Sequence, residues 1–116
     1  MIRAFRLLTT NIRDAIEEAG FSVNLIADGL YEFGKYSSEG QDFRFEIDIG
    51  NNTREFAENI WSYFENFDVS AAAYMWLDDN GHGTNGAPYE MIDVYNDMLE
   101  CKFFVNELCN VVRSFV

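Results

Sequence analysis

One stretch of eight residues alternates strictly between polar and apolar side chains, and it constrains the fold more than any other part of the chain. The stretch is 42–49, with the sequence DFRFEIDI. Because successive side chains of a β-strand point to opposite faces, the alternation predicts a strand with one face on a core and one face in water. The apolar face would carry Phe43, Phe45, Ile47 and Ile49, and the wet face Asp42, Arg44, Glu46 and Asp48.

Two further strands are predicted immediately before this one. The runs FSVNLIA and LYEFGKYS are rich in β-branched and aromatic residues, and the pair Asp28-Gly29 lies between them. An Asp-Gly pair between two such runs is a strong signal for a tight hairpin. The segment from about 22 to 49 is therefore predicted to form a three-stranded antiparallel meander sheet.

Helical spacing of apolar residues predicts helices on both sides of this sheet in the sequence. An N-terminal helix would end at Gly20, and Thr9-Thr10 could divide it in two. A second helix is predicted to begin at Asn52 or Thr53, and a short third helix over 71–77 would follow a cap at Asp68 or Ser70. The apolar residues of the N-terminal helix are Ile2, Phe5, Leu8, Ile12, Ala15, Ile16 and Ala19.

The final helix, predicted over about 88–115, has the longest pattern. Pro88 suits the first position of a helix. Apolar residues recur at alternating intervals of three and four, which predicts a seam that packs on the sheet or on another helix. The seam is Met91, Val94, Met98, Cys101, Val105, Leu108, Val112 and Phe115. The chain is therefore expected to be a single α+β domain over 1–116, with the order α-β-β-β-α-α-α and with one N-terminal and three C-terminal helices packed on the meander.

The chain is strongly acidic, with a net charge of −12 over 116 residues. The middle segment, 36–100, accounts for this excess, since it holds fourteen acidic residues and only Arg44 and Arg54 as basic ones. Such a charge repels phosphates, so direct binding to nucleic acid is not expected, and a basic protein surface is the expected partner. The apolar content of 48% is far above that of a disordered acidic tail.

Two rows of carboxylates are the first candidate partner-binding residues. The row on the final helix follows spacings of three, four and three, which predicts one stripe about 15 Å long. In sign and spacing the rows resemble a run of phosphates, as in a nucleic-acid mimic, and the alternative is an acidic surface that only keeps the protein soluble. The residues are Glu90, Asp93, Asp97 and Glu100 on the helix and Asp42, Glu46 and Asp48 on the strand.

The loop DDNGHGTNGA at 78–87 adds Asp78 and Asp79 to the candidate site and holds the only histidine, His82. Its oxygen donors resemble those of a calcium loop, but the EF-hand spacing fails because the twelfth position counted from Asp78 is not Glu. Neither a metal nor another cofactor is predicted. The glycines suit a tight connection between helices, which is either structural or a recognition loop. Three aromatic residues would assist recognition: Tyr74, Trp76 and Tyr89.

The cysteines indicate a reducing compartment and no catalytic nucleophile. Cys101 and Cys109 lie eight residues apart on the predicted final helix, about 12 Å along its axis, which is too far for a disulfide. They are expected to be reduced core thiols of a cytoplasmic, non-enzymatic protein. No apolar run is long enough to span a membrane, and the first twenty residues lack the apolar core of a signal peptide.

Two stretches resemble segments of small acidic, uncharacterised proteins of phages and conjugative elements of gut bacteria: YEFGKYSSEGQDFRFEI at 31–47 and WLDDNGHGTNGAPYEMIDV at 76–94. The resemblance supplies no catalytic residue but implies a context, because mobile elements encode small acidic proteins that block restriction enzymes or CRISPR nucleases, often by imitating nucleic acid. The expected function is therefore non-enzymatic inhibition of a nucleic-acid-handling defence enzyme. The alternative is an interaction or oligomerisation module that uses the helix 88–115, so both a monomer and a homodimer remain open.

Overall fold

A computed structural model describes residues 5–116, which form three strands and four helices in the predicted order. The α+β architecture with one antiparallel meander is thereby confirmed. The strands are β1 (Ser22–Ala27), β2 (Leu30–Tyr36) and β3 (Asp42–Asp48). The helices are α1 (Thr10–Glu18), α2 (Thr53–Asn66), α3 (Val69–Tyr74) and α4 (Met91–Arg113).

The sheet has one dry face and one wet face. Phe33 in the central strand β2 lies opposite Val23 of β1 and opposite Phe45 of β3, and all three are buried. The alternation predicted for β3 is confirmed, because its apolar side chains face the helices while its four polar side chains are exposed. Gly29, in the turn between β1 and β2, takes the left-handed conformation that glycine adopts without steric cost, with φ of 67°.

The first helix is shorter than predicted. It begins at Thr10, so Phe5 and Leu8 precede the helix, and Ile2 lies outside the described residues. The reason is a competing contact, because Arg6 holds the segment before the helix against the sheet. The predicted end is confirmed: Gly20 has φ of 99° and donates its backbone N–H to the Glu17 carbonyl.

Arg6 joins the N-terminal segment to two turns of the sheet. Its guanidinium donates to the Asp48 carboxylate at 3.1 Å, to the Gly50 carbonyl at 3.1 Å and to the Asp28 carbonyl at 3.0 Å. Its backbone N–H also donates to the Asp28 carboxylate at 2.7 Å. A Cβ added to Gly29 would lie 2.5 Å from this guanidinium, so the turn leaves room for Arg6.

The caps of the middle helices follow the sequence signals. Asn52 caps α2 by accepting a hydrogen bond from the Glu55 N–H at 2.9 Å, and Glu55 in return accepts from the Asn51 N–H. Asp68 caps α3 by accepting from the Ala71 N–H at 3.1 Å. The third helix was predicted over 71–77, but it covers 69–74 because the chain then bends into an isolated β-bridge with the loop.

The final helix keeps its predicted seam but not its predicted ends. Its buried residues include six of the eight seam positions, while Met91 and Phe115 at the two ends are exposed. The helix starts at Met91 and not at Pro88, because the residues just before it close the loop at 78–90. The seam is internal in this fold, since its buried residues pack on the sheet and on the other helices.

The buried residues form two clusters that share α4. The larger cluster lies between the dry face of the sheet and the helices α1, α2 and the C-terminal half of α4. The smaller cluster joins α3 to the N-terminal half of α4 through Ala73, Val94, Met98 and Cys101. The chain segment between α3 and α4 is thereby fixed beside a small core of its own.

The contacts of Asp48 predict how acid affects stability. The Gly50 N–H and the Arg6 guanidinium, in that order, hold the pKa of Asp48 below its ordinary value. A lowered pKa in the folded state means that the stabilisation is complete above the unfolded-state pKa, about 4, and is lost as the pH falls through the folded-state pKa. We expect Asp48→Asn to lower the free energy of unfolding at pH 7 and to lose this effect near pH 2.

Urea denaturation of both proteins at several pH values measures this difference. Glu58→Gln is a suitable control, because Glu58 is exposed on α2 and makes no hydrogen bond or ion pair with residues 5–116. An Asp48→Asn effect that is the same at pH 7 and at pH 2 would contradict the assignment.

Candidate protein-binding surface

The loop at 78–90 is closed by backbone hydrogen bonds at its base. Leu77 forms a β-bridge with Gly83, and the Thr84 N–H donates to the Trp76 carbonyl at 2.9 Å. The Gly83 N–H donates to the Tyr89 carbonyl at 2.9 Å. Because these bonds connect the end of α3 to the start of α4, the loop has a defined shape beside the smaller core.

Asp78 stabilises the loop from inside. Its carboxylate accepts the N–H groups of Asn80 at 2.9 Å and of His82 at 3.0 Å. These two hydrogen bonds lower the pKa of Asp78, and the bond from His82 has the larger effect. The carboxylate was predicted to bind a partner, but the structure shows it bound to its own loop.

Gly83 is required for steric reasons. A Cβ at this position would lie 1.7 Å from the Pro88 carbonyl oxygen, so the two sides of the loop would have to separate. Pro88 is therefore part of the closed loop and not of the helix that follows it. The same close approach places His82 parallel to Tyr89, with ring centroids 4.2 Å apart and an angle of 10° between the rings.

Large apolar side chains are exposed on the segments that meet at this loop. Tyr74 is 77% exposed and Met75 is 79% exposed at the end of α3. Tyr89, Met91 and Ile92 are exposed where α4 begins. Tyrosine and methionine are enriched in protein interfaces relative to the remaining surface. These five residues, together with the exposed acids Asp79, Glu90 and Asp93, are called the loop-end surface below.

The three acids of the loop-end surface are unpaired. Their side chains make no hydrogen bond or ion pair with any residue from 5 to 116. Their charges are therefore not neutralised by any ion pair within the described part of the chain. Glu90 and Asp93 were predicted in the helical stripe, and Asp79 was predicted in the loop.

The rest of the helical stripe is not available as predicted. Asp97 is only 4% exposed, and its Oδ1 atom has no hydrogen-bond partner among the described residues. Glu100 accepts the Ser38 N–H at 2.5 Å and the Ser38 hydroxyl at 2.6 Å. The expected row of four exposed carboxylates is thus wrong, because the turn between β2 and β3 packs against this part of α4.

The acids of β3 are exposed, but two of them are partly neutralised. Arg44 binds Asp42 at 3.1 Å and Glu32 at 3.0 Å. Asp48 binds Arg6, as described above. Glu46 lies directly opposite Glu32 in the β2–β3 register and has no ion pair among the described residues. The wet face is therefore a mixed network in which Glu46 is the unpaired member.

The two cysteines are buried free thiols, as predicted. Burial is the main reason that the pKa of Cys101 is raised to about 12, and the negative charges of Asp97 and Glu100 add to the effect. Burial also raises the pKa of Cys109. Both groups are therefore protonated thiols near neutral pH, and the thiol form is a poor nucleophile.

Residues 5–116 contain no group of three or more His, Cys, Asp or Glu side chains placed to hold a metal ion. None of the helices in this part of the chain has both the length and the apolar character needed to cross a bilayer. Comparison with protein-family models, with curated proteins and with solved structures finds no match to this chain.

Sequence reasoning identified part of the loop-end surface. Tyr74 and Tyr89 were predicted to assist recognition, and both are exposed. Met75 was assigned to a helix and Met91 to the buried seam, so their exposure was missed. The signal for the exposure of Met91 was the glycine-rich loop, since a closed loop just before α4 keeps the first residue of that helix out of the core.

Substitution of Gly83 tests whether the loop shape depends on the close approach to Pro88. We expect Gly83→Ala to lower the free energy of unfolding by about 1–3 kcal/mol, because the added methyl group must separate the two backbones. The His82–Tyr89 stacking should be lost, and this would appear as a change in the ring-proton shifts in NMR spectra. Asn85→Gly is the matched control, because Asn85 already has a φ of 56°, which glycine adopts freely. Equal stability of the Gly83→Ala variant and the wild type would contradict the steric argument.

Proposed function

We propose that this chain is a non-enzymatic acidic protein that binds a basic surface of a partner protein through the loop-end surface. The observation that carries the proposal is the presence of exposed tyrosine and methionine side chains on the same segments as unpaired carboxylates. Aromatic anchors supply most of the binding energy of typical interfaces. Carboxylates around them attract a basic partner and disfavour an acidic one.

The partner that we propose is a nucleic-acid-handling defence enzyme, such as a CRISPR or restriction nuclease, which the protein inhibits. Surfaces that hold nucleic acid are basic, and a protein with a net charge of −12 is attracted to them over a distance of several ångströms. The resemblance of 31–47 and 76–94 to proteins of mobile elements supports the same class. The free thiols are consistent with action in the cytoplasm.

Inhibition in this proposal does not need a phosphate-like row along α4. Asp97 is buried and Glu100 is bound to Ser38, so only Glu90 and Asp93 of such a row keep exposed charges without a partner among the described residues. Occupation of the basic surface by the loop-end surface would exclude nucleic acid by competition. A lysine at position 97 would place an ammonium group in the protein interior, so charge reversal there tests folding and not binding.

Charge reversal at the exposed acids tests the proposal. We expect the triple variant Asp79→Lys, Glu90→Lys, Asp93→Lys to lose inhibition, because three attractive charges become repulsive. The measurement is DNA cleavage by purified CRISPR and restriction nucleases with added protein, at 50 mM and at 500 mM salt. Inhibition by the wild type should weaken at the higher salt concentration.

The control variant makes the same change of charge elsewhere. Asp14→Lys, Glu18→Lys, Glu65→Lys replaces three exposed acids on α1 and α2, so it should keep most of the inhibition. A second variant, Tyr74→Ser with Met75→Ser, removes exposed side chains without altering charge and should also weaken inhibition. Equal losses in the two lysine triples would show that only net charge matters, and no inhibition of any nuclease would overturn the proposed partner.

A second candidate function is favoured by one feature of α4. Ile92, Leu99 and Phe103 are exposed, and Phe103 is 54% exposed. At 100° per residue, Phe103 lies about 180° around the helix from the seam residue Val94. Two copies of the chain could associate through this outer apolar row. In that case the final helix would act as an oligomerisation module, but through its outer row and not through its seam.

Sedimentation velocity tests this second candidate. A dimer through the outer row predicts that the wild type sediments as a dimer near 100 μM and that Leu99→Gln with Phe103→Gln sediments as a monomer. Ile26→Gln, at an exposed apolar position on β1, should leave the dimer intact. A monomeric wild type at this concentration would rule the candidate out.

A further inference from the structure

The outer side of β3 is an open strand edge. The Ile49 N–H donates to the Gly29 carbonyl at 2.8 Å, so Ile49 is hydrogen-bonded to the β2 side. Because hydrogen-bonded and non-hydrogen-bonded pairs alternate in an antiparallel ladder, Asp48, Glu46 and Arg44 direct their N–H and C=O groups away from β2. The Asp48 carbonyl confirms this direction, since it accepts from the Asn59 side chain of α2 at 2.8 Å.

Within residues 5–116, only the end of this edge is covered. Asn59 occupies the Asp48 carbonyl, whereas the backbone groups of Arg44 and Glu46 have no partner among the described residues. The opposite edge of the sheet is protected differently, because Arg13 of α1 donates to the Val23 carbonyl at 3.1 Å and a bulge follows Leu25. Bulges and covering elements are the usual means of preventing strand addition. The β3 edge is therefore better suited than the β1 edge to pair with an additional strand.

A groove of about 620 Å³ runs beside this edge, between β3 and the helices α2 and α3. Its floor includes the half-buried rings of Tyr63 and Phe67, which pack on Phe45 and Phe43 with ring centroids 5.3 and 5.9 Å apart. The floor is therefore apolar and fixed by the core, so it could receive apolar side chains without rearrangement.

The charge of the groove favours a basic occupant. Glu46, Asp48 and Asp68 line it, and none of its lining residues within 5–116 is a lysine or an arginine. Glu46 lies opposite Glu32, and like charges opposite each other on neighbouring strands destabilise the sheet. A cation beside Glu46 would relieve this repulsion.

We propose that the β3 edge binds an extended, basic segment of a partner protein as a fourth strand. In this arrangement the segment pairs with the free backbone groups of Arg44 and Glu46. Its alternate side chains would be apolar, over Tyr63 and Phe67, and basic, beside Glu46 and Asp48. Strand addition of this kind takes affinity from the main chain and specificity from alternate side chains. It uses residues different from those of the loop-end surface and does not depend on the proposed nuclease partner.

A second copy of the chain fits this edge less well. Each copy has a net charge of −12, and the groove itself is acidic, so two copies repel each other at the point of contact. The occupant with complementary charge is a basic segment.

A peptide with alternating lysine and valine residues, seven residues long and capped at both ends, is a direct probe. We expect it to bind the full chain more tightly than a peptide of the same composition with the lysines and valines in two blocks. Binding should protect the backbone amides of Arg44 and Glu46 from hydrogen exchange, as measured by NMR. A peptide that is N-methylated at alternate positions facing β3 should not bind, because it cannot donate to the edge.

A pair of charge variants completes the test. Glu46→Lys should weaken binding of the alternating peptide by about fivefold to tenfold, whereas Glu58→Lys, on the exposed side of α2, should change it less than about twofold. Equal effects of the two variants would overturn the proposal, and so would equal binding of the alternating and block peptides. Protection of the Arg44 and Glu46 amides in the free protein, together with a dimer in sedimentation, would also overturn it by assigning the edge to a second copy.

Discussion

Burial of one face of a three-stranded sheet is the constraint on which the remaining structure depends. Phe33 occupies the centre of this face and stacks near Tyr31, Phe45 and Phe56, with ring centroids about 6 Å apart. A small sheet cannot exclude water from such side chains without a second layer. The helices α1, α2 and α4 supply that layer on one side of the sheet, and within residues 5–116 the side chains of the opposite face of β3 stay exposed. The exposed acidic network is thus a consequence of a sheet that residues 5–116 cover on one face, and the unpaired edge of β3 follows from its place at the end of the strand order.

The net charge of −12 does not show which acidic side chains are free and which are paired. Basic residues are few, and several of them are used inside the fold: Arg6 and Arg44 bind acids of the sheet, and Lys35 binds Glu107 of α4. These pairs remove some of the most regular acidic positions from the free surface. The unpaired carboxylates that remain include Glu46 on the sheet and the three acids of the loop-end surface. The net charge of −12 is therefore concentrated at particular surface positions and is not spread evenly over the surface.

Local patterns predicted the fold well, because the interactions behind them are local. The alternation in 42–49, the Asp28-Gly29 turn and the seam of α4 all concern residues within a few positions of one another. The errors concern contacts between distant segments. Asp97 lies only about 60° around the helix from Val94, at the border of the seam, and it is buried with the seam, while the turn that carries Ser38 binds Glu100. In the same way, Arg6 decides where α1 begins, and the approach of Gly83 to Pro88 decides where α4 begins. The candidate site was predicted in its acids and two tyrosines, but which acids are free could not be known without the packing.

The division of α4 between two clusters gives the molecule an uneven resistance to opening. The C-terminal half of the helix is held by a cluster with sixteen buried residues, whereas the N-terminal half is held by a cluster with four. Fluctuations that break only the smaller cluster cost less free energy than those that expose the sheet. The first turns of α4, together with α3 and the closed loop, are therefore expected to open at a lower free-energy cost than the meander. The loop-end surface therefore lies on the less strongly held end of the molecule, and the sheet lies on the more strongly held end.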